Sequence, residues 1–157
     1  MATADHSLSQ YDHTKVSNGK NFRIALVVSE WNEVVTNELF QGAKNTLIHH
    51  NVSENNIERI NVPGSFELIY GAQRAQQMNF DAIIAIGCVI QGETRHFEFI
   101  SNAVAQGIKD LNLNGKAPVV FCVLTDDTNE QSKARSGGDK GNKGVEAAVT
   151  ALRMIGL

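Results

Sequence analysis

Ala82-Ile83-Ile84-Ala85-Ile86-Gly87-Cys88-Val89-Ile90, followed directly by Gln91-Gly92-Glu93-Thr94-Arg95-His96, is the stretch that decides the fold. No residue from Ala82 to Ile90 is charged or strongly polar. A strand with one wet face alternates apolar and polar residues. One that is apolar throughout is covered on both faces, as in a parallel sheet between helical layers. Residues 22–29 (FRIALVVS) and 117–124 (APVVFCVL) read the same way, while Ile57–Val62 (IERINV) is mixed and fits a place nearer an edge.

Helical patterns fill the gaps. Leu39, Ala43 and Leu47 recur every fourth residue after the first run. Ser65 is placed to cap a helix reaching about Gln77. Phe97, Ile100, Val104, Ile108 and Leu111 form an apolar stripe that Gly115 and Pro118 close. Thr128-Asn129-Glu130-Gln131 fits a capping box, and a last helix runs from about Asn142 to Met154. Strands alternating with helices imply right-handed crossovers and a three-layer α/β/α sandwich around a four-stranded parallel sheet. Residues 1–20 are polar and read as a flexible N-terminal arm, leaving one domain over residues 21–157.

Bulk properties narrow the function. A net charge of −3 gives no electrostatic footprint for nucleic acid or a membrane surface. No run is long enough to span a bilayer, and the first residues lack the apolar stretch of a signal peptide, so a cytoplasmic protein is expected. Cys88 and Cys122 sit in apolar runs outside any CxxC pair and read as reduced core thiols. His49 and His50 are neighbours rather than four apart, so no metal site is expected.

Ligands of such sheets bind beyond the carboxyl ends of the strands. Four groups of residues fall there. Trp31, the single tryptophan, follows the first strand; it suits either stacking on a planar heterocycle or covering the sheet end. Pro63-Gly64-Ser65-Phe66-Glu67 follows the second. Its carboxylate can complement a helix dipole or bind ligand hydroxyls. After the third, Gly92 lets the backbone approach a ligand, the amides of Gly92, Glu93 and Thr94 are placed at a helix start suited to an anion, and His96 brings an imidazole, a side chain suited to proton transfer. Residues 135–144 (RSGGDKGNKG) combine four glycines with three basic side chains, a composition that fits a phosphate cradle or a solvated loop. Lys143 is followed by Gly144, so no Walker A motif is present, and no G-x-G-x-x-G follows a strand. Unaided, these residues describe a strand-end site for a phosphorylated, partly aromatic small molecule and name no reaction.

Together the segments resemble the 6,7-dimethyl-8-ribityllumazine synthase family. The resemblance rests on Val62-Pro63-Gly64-Ser65-Phe66-Glu67, on Gly87 to Phe97, on Val123-Leu124-Thr125 with Glu130-Gln131 and Arg135, and on Gly141-Asn142-Lys143-Gly144-Val145-Glu146-Ala147-Ala148, in the family's order and spacing. It implies a flavodoxin-like fold and a transferase of riboflavin biosynthesis. The family condenses 5-amino-6-(D-ribitylamino)uracil with 3,4-dihydroxy-2-butanone 4-phosphate, without a cofactor. By resemblance, Trp31, Ser65, Phe66, Glu67, Cys88, Val89, Ile90 and Phe121 bind the ribitylaminouracil. Glu93, Thr94, Arg135 and Lys143 bind the butanone phosphate, and His96 moves protons. The family's sites lie between subunits of pentamers, so Phe121, Arg135 and Lys143 are expected from an adjacent chain. No insertion lengthens residues 135–143, which predicts a 60-subunit shell, with riboflavin synthase as a further partner. Trp31 stands where phenylalanine is more usual, and Ser65, Ser132 and Ser136 stand for frequent alanines. A flavin-binding or shell-forming protein without turnover is the alternative on the same fold.

Overall fold

The computed structural model describes residues 7–157. Its main sheet has four parallel strands, β1 (Ile24–Ser29), β2 (Ile57–Val62), β3 (Ala82–Ile90) and β4 (Val119–Asp126), in the order β2-β1-β3-β4. Five helices connect or follow them: α1 (Glu33–His49), α2 (Leu68–Gln76), α3 (His96–Asn114), α4 (Asn129–Arg135) and α5 (Lys143–Ile155). The three-layer sandwich read from the apolar runs is the one observed.

Both faces of the sheet are dry. Along β1 and β3, Ile24, Leu26, Val28, Ala82, Ile84, Ile86 and Cys88 point into one core with α1 and α5. Ala25, Val27, Ile83 and Ala85 point into the other, with α2 and α3. The period-two alternation of a strand thus feeds two cores, which is why the sequence of β3 shows no alternation in polarity. β2 has an exposed, charged middle and forms one edge, as its mixed sequence predicts.

Where α1 crosses α5 the backbones come very close. A Cβ on Gly144 would collide with the carbonyl oxygen of Leu39. Asn142 locks the crossing: its Oδ1 accepts from the amide of Gly144 at 2.8 Å, and its Nδ2 donates to the carbonyls of Glu38 at 2.9 Å and Ser136 at 3.1 Å. It is also the N-cap of α5, where the sequence placed the start of the helix.

Several expectations are corrected. Ser65 does not cap α2; the N-cap position is Glu67, and the Ser65 hydroxyl instead donates to the Cys88 carbonyl at 3.5 Å. The Thr128 hydroxyl caps α4, but Gln131 reaches back to the amide of Asp127 rather than that of Thr128. The glycine-rich loop folds partly into a small antiparallel hairpin, β5 (Ser136–Gly138) with β6 (Gly141–Asn142). Gly137 and Gly141 carry positive φ angles of 131° and 85° there, which a side chain resists.

Of the N-terminal arm, residues 7–20 make contacts with the domain, and residues 1–6 lie outside the described part. The amide of Leu8 donates to the Lys140 carbonyl at 2.9 Å, and Leu8 is buried. The hydroxyl of Ser9 accepts from the amide of Asn142 at 3.0 Å. Tyr11 and His13 reach the end of α1, and the amide of Gly19 donates to the His50 carbonyl at 2.8 Å. The polar composition gave no sign of this docking, because backbone groups do most of the holding.

Candidate active site

The strand order reverses between β1 and β3, and a crevice opens at that point beyond their carboxyl ends. A cleft of about 680 Å³ lies there. Trp31 and Asn32 enter it from the end of β1, Pro63 to Glu67 from the end of β2, and Cys88, Val89 and Ile90 from β3. Gly92, Thr94, His96, Phe97 and Ile100 complete the wall from the turn before α3 and its first turns.

The end of β3 has a backbone suited to reading a ligand edge. Its pairing with β4 continues to Ile90 opposite Asp126. Its pairing with β1 stops at Val28 opposite Ile86. Beyond Ile86, the backbone groups of β3 on the β1 side have no strand partner, and Cys88, Val89 and Ile90 line the cleft. One is used internally: the Cys88 carbonyl accepts from Asn32 Nδ2 at 2.9 Å. Asn32 sits in the left-handed region at φ 59°, a conformation asparagine tolerates better than most residues, and ties the loop after β1 to β3. Sequence reading missed it; an Asn just before a helix was the available signal.

Gly87 explains how α2 approaches so closely. A Cβ there would come within 2.8 Å of both Leu68 Cδ1 and Ser65 Oγ. Gly92, by contrast, has no positive φ and nothing within 4 Å of a would-be Cβ. The turn does not demand glycine there, and the open space leaves room for a ligand. The turn also ends later than the sequence suggests: α3 starts at His96 with Arg95 as N-cap, so Gly92, Glu93 and Thr94 precede the helix instead of forming its first turn. The amide of His96 lies 3.4 Å from Thr94 Oγ1. His96 is exposed at the cleft mouth. Trp31 is 72% exposed, so its indole packs on little within the chain and stands over the cleft.

Not every expected residue comes to this cleft. Glu93 is exposed and does not line it. Phe121 and Lys143 line a second cavity of about 470 Å³ along the edge strand β4, with Asn112, Pro118 and Met154. Arg135 ends α4, where its Nε lies 3.7 Å from Asp126 Oδ1. Asp126 in turn accepts from the Ser132 hydroxyl at 2.9 Å, and Ser132 accepts from the Cys88 thiol at 3.4 Å. Ser132, singled out only as a departure from alanine, thus joins a buried polar chain from β3 to Arg135. Burial pushes the Cys88 thiol up, partly offset by the Ser132 hydroxyl. Burial pushes Cys122 up to about 12. At Glu146 burial opposes the charge, but the Lys143 ammonium at 2.6 Å outweighs it and holds the carboxyl below its usual value.

A family model for 6,7-dimethyl-8-ribityllumazine synthase matches residues 21–157, which take in all of this cleft. The chain belongs to the lumazine synthase family. Among its relatives, the 6,7-dimethyl-8-ribityllumazine synthase of Christiangramia forsetii is 57% identical over 100% of this chain and 95% of its own length. That of Flavobacterium johnsoniae is 56% identical over 98% and 82%, and that of Porphyromonas gingivalis 53% over 100% and 98%. Seen as a lumazine synthase cleft, the wall divides into an aromatic and backbone part around Trp31 and β3, and a histidine-bearing mouth at α3.

Three imidazoles gather outside the cleft. The sequence reading excluded a metal site because His49 and His50 are adjacent. The seated N-terminal segment brings His13 to them, and one ligand atom from each lies within 4.8 Å of the others.

Proposed function

We propose that this chain condenses 5-amino-6-(D-ribitylamino)uracil with 3,4-dihydroxy-2-butanone 4-phosphate to 6,7-dimethyl-8-ribityllumazine, phosphate and water, in the cleft at the ends of β1 and β3. The observation that carries this reading is the end of β3, where Cys88, Val89 and Ile90 run on beyond the pairing with β1 and line the cleft beside the exposed Trp31. A pyrimidinedione presents alternating N–H and C=O groups along its edge, the complement of a strand edge. Its flat face matches an indole.

The pyrimidine takes the β3 edge, with Trp31 on its face and Ser65, Phe66 and Glu67 along the ribityl chain. The butanone phosphate occupies the mouth near Thr94 and His96, with the backbone around Glu93 and with Arg135. The pyrimidine's own amine attacks the ketone, and loss of water gives an imine. Removal of a proton from the carbon next to the phosphate-bearing carbon then expels phosphate. The ribitylamino nitrogen closes the ring with loss of a second water. Each stage moves a proton at a nitrogen, oxygen or carbon near the mouth, where His96 stands. Holding two substrates in one cleft supplies much of the rate, and the imidazole adds acid–base catalysis.

The enzyme acts as a homo-oligomer, built from pentamers into a shell, in which a neighbour's Phe121, Lys143 and Arg135 complete each cleft. Support comes from apolar side chains left uncovered in the single chain, including Phe99 at 68% and Leu113 at 73% exposure on α3. Riboflavin synthase, the next enzyme on the product, is its expected associate in the cytoplasm, where Cys88 and Cys122 stay reduced. Among the described residues no helix is long and apolar enough to cross a membrane.

The test follows lumazine formation by absorbance with both substrates present. Turnover above the spontaneous condensation is expected, and its absence would overturn the reading. His96→Ala should cut the rate by on the order of 10²-fold with little change in the affinity for the pyrimidine. An unchanged rate would remove His96 from proton transfer.

A further inference from the structure

α1 starts beside the cleft and runs back along the sheet. Its far end lies about 25 Å away, at a rise of 1.5 Å for each of its 17 residues. His49 is its last residue and His50 its C-cap. Because the chain leaves helical geometry at His50, with φ −93° and ψ 26°, the two adjacent side chains are not held apart by the helical twist. Their rings meet edge to face with centroids 5.3 Å apart.

The N-terminal segment delivers the third ring. His13 lies 5.6 Å from His49 and 5.9 Å from His50, ring centre to ring centre. Tyr11 follows it in: its hydroxyl lies 3.1 Å from His50 Nε2. His13 and His49 are exposed, whereas His50 is 9% exposed. Three imidazoles that direct one ligand atom each into a space no more than 4.8 Å across would repel one another if protonated. Neutral, they are the donor set that late first-row divalent cations prefer.

We propose that His13, His49 and His50 form a binding site for a late first-row divalent cation of the zinc and nickel class, which fastens the N-terminal segment to the end of α1. Metal–nitrogen bonds of about 2.0–2.1 Å require the three nitrogens to draw closer than they now lie. The two exposed rings have the freedom to do so. The helix supplies a favourable field, because its last carbonyls leave partial negative charge at this end. Tyr11 contacts the His50 ring at Nε2, so the proposed site takes the Nδ1 of His50, and Tyr11 is the outer partner that metal-bound histidines commonly have. Three protein ligands leave the fourth position to water. The distance from the cleft makes the site one of structure rather than of turnover.

The experiment uses the untagged full chain. Zn²⁺ is added in a calorimetric titration, and bound metal is counted after equilibrium dialysis. One ion per chain with micromolar affinity is expected. His13→Ala and His49→Ala, both at exposed positions, should each weaken binding at least tenfold, while His96→Ala leaves it unchanged. Zn²⁺ should also slow tryptic cleavage after Lys15 at least threefold in the wild type and not in His13→Ala. Failure to bind at 0.1 mM Zn²⁺, or binding that survives the His13→Ala/His49→Ala double substitution, overturns the site. Binding without protection of Lys15 overturns the fastening role.

Discussion

At the scale of single residues, the cleft shows how position converts an ordinary side chain into a chemical group. His96 has no elaborate partner; its amide lies 3.4 Å from Thr94 Oγ1 and its ring stands at the cleft mouth. What it offers is access at the start of a helix. The two thiols are the opposite case. Cys122 is fully buried in the core between the sheet, α1 and α5, and burial that pushes it up to about 12 keeps it a thiol at pH 8. Treatment of the native protein with a thiol reagent at pH 8 should therefore leave Cys122 unmodified, and unfolding in denaturant should expose it. Mass spectrometry of the peptide carrying residue 122 distinguishes the two; rapid native modification would contradict the burial. The sequence made Cys122 legible as a core residue, because apolar neighbours on both sides announce a buried strand. It could not announce the Cys88–Ser132–Asp126–Arg135 chain, which joins residues from two strands and a helix.

At the scale of elements, the strands were the most legible part. Apolar runs of eight and nine residues allow little else, and the bounds of β3 and of the mixed β2 match the reading residue for residue. Helix starts were less so. Ser65 has the chemistry of a cap, but the close packing permitted by Gly87 turns its hydroxyl toward the Cys88 carbonyl instead. The hairpin of β5 and β6 was hidden in a run of glycines, since pairing there depends on main-chain groups that composition does not display. The element that holds this hairpin, α1 and α5 together is Asn142. Asn142→Ala removes an N-cap, a loss of about 1 kcal/mol, and strips a donor from two carbonyls, one bond being buried, at about 1 kcal/mol or more. A loss of about 2–3 kcal/mol in chemical denaturation is expected. A change below about 0.5 kcal/mol would show that water replaces the amide without cost.

At the scale of the whole molecule, the single chain carries two separate cavities. The cleft holds His96 and the end of β3, yet Phe121 and Lys143 line a separate cavity along β4, the edge of the sheet opposite β2. The sequence placed these residues in one site only through family resemblance, because a site assembled from two chains leaves no mark in the spacing of one. If each cleft is completed by its neighbour, the two halves are separable by mutation. His96→Ala disables one half of a chain and Arg135→Ala the other. Each variant assembled alone should be nearly inactive. Unfolded together in equal amounts and refolded into mixed oligomers, they should regain about a quarter of wild-type activity, because a cleft is intact only where an Arg135→Ala chain supplies His96 and an adjacent His96→Ala chain supplies Arg135. Sites lying wholly within one chain would recover nothing on mixing, whatever the size of the oligomer. The mixing experiment therefore separates a shared site from mere association, which a measurement of mass alone does not.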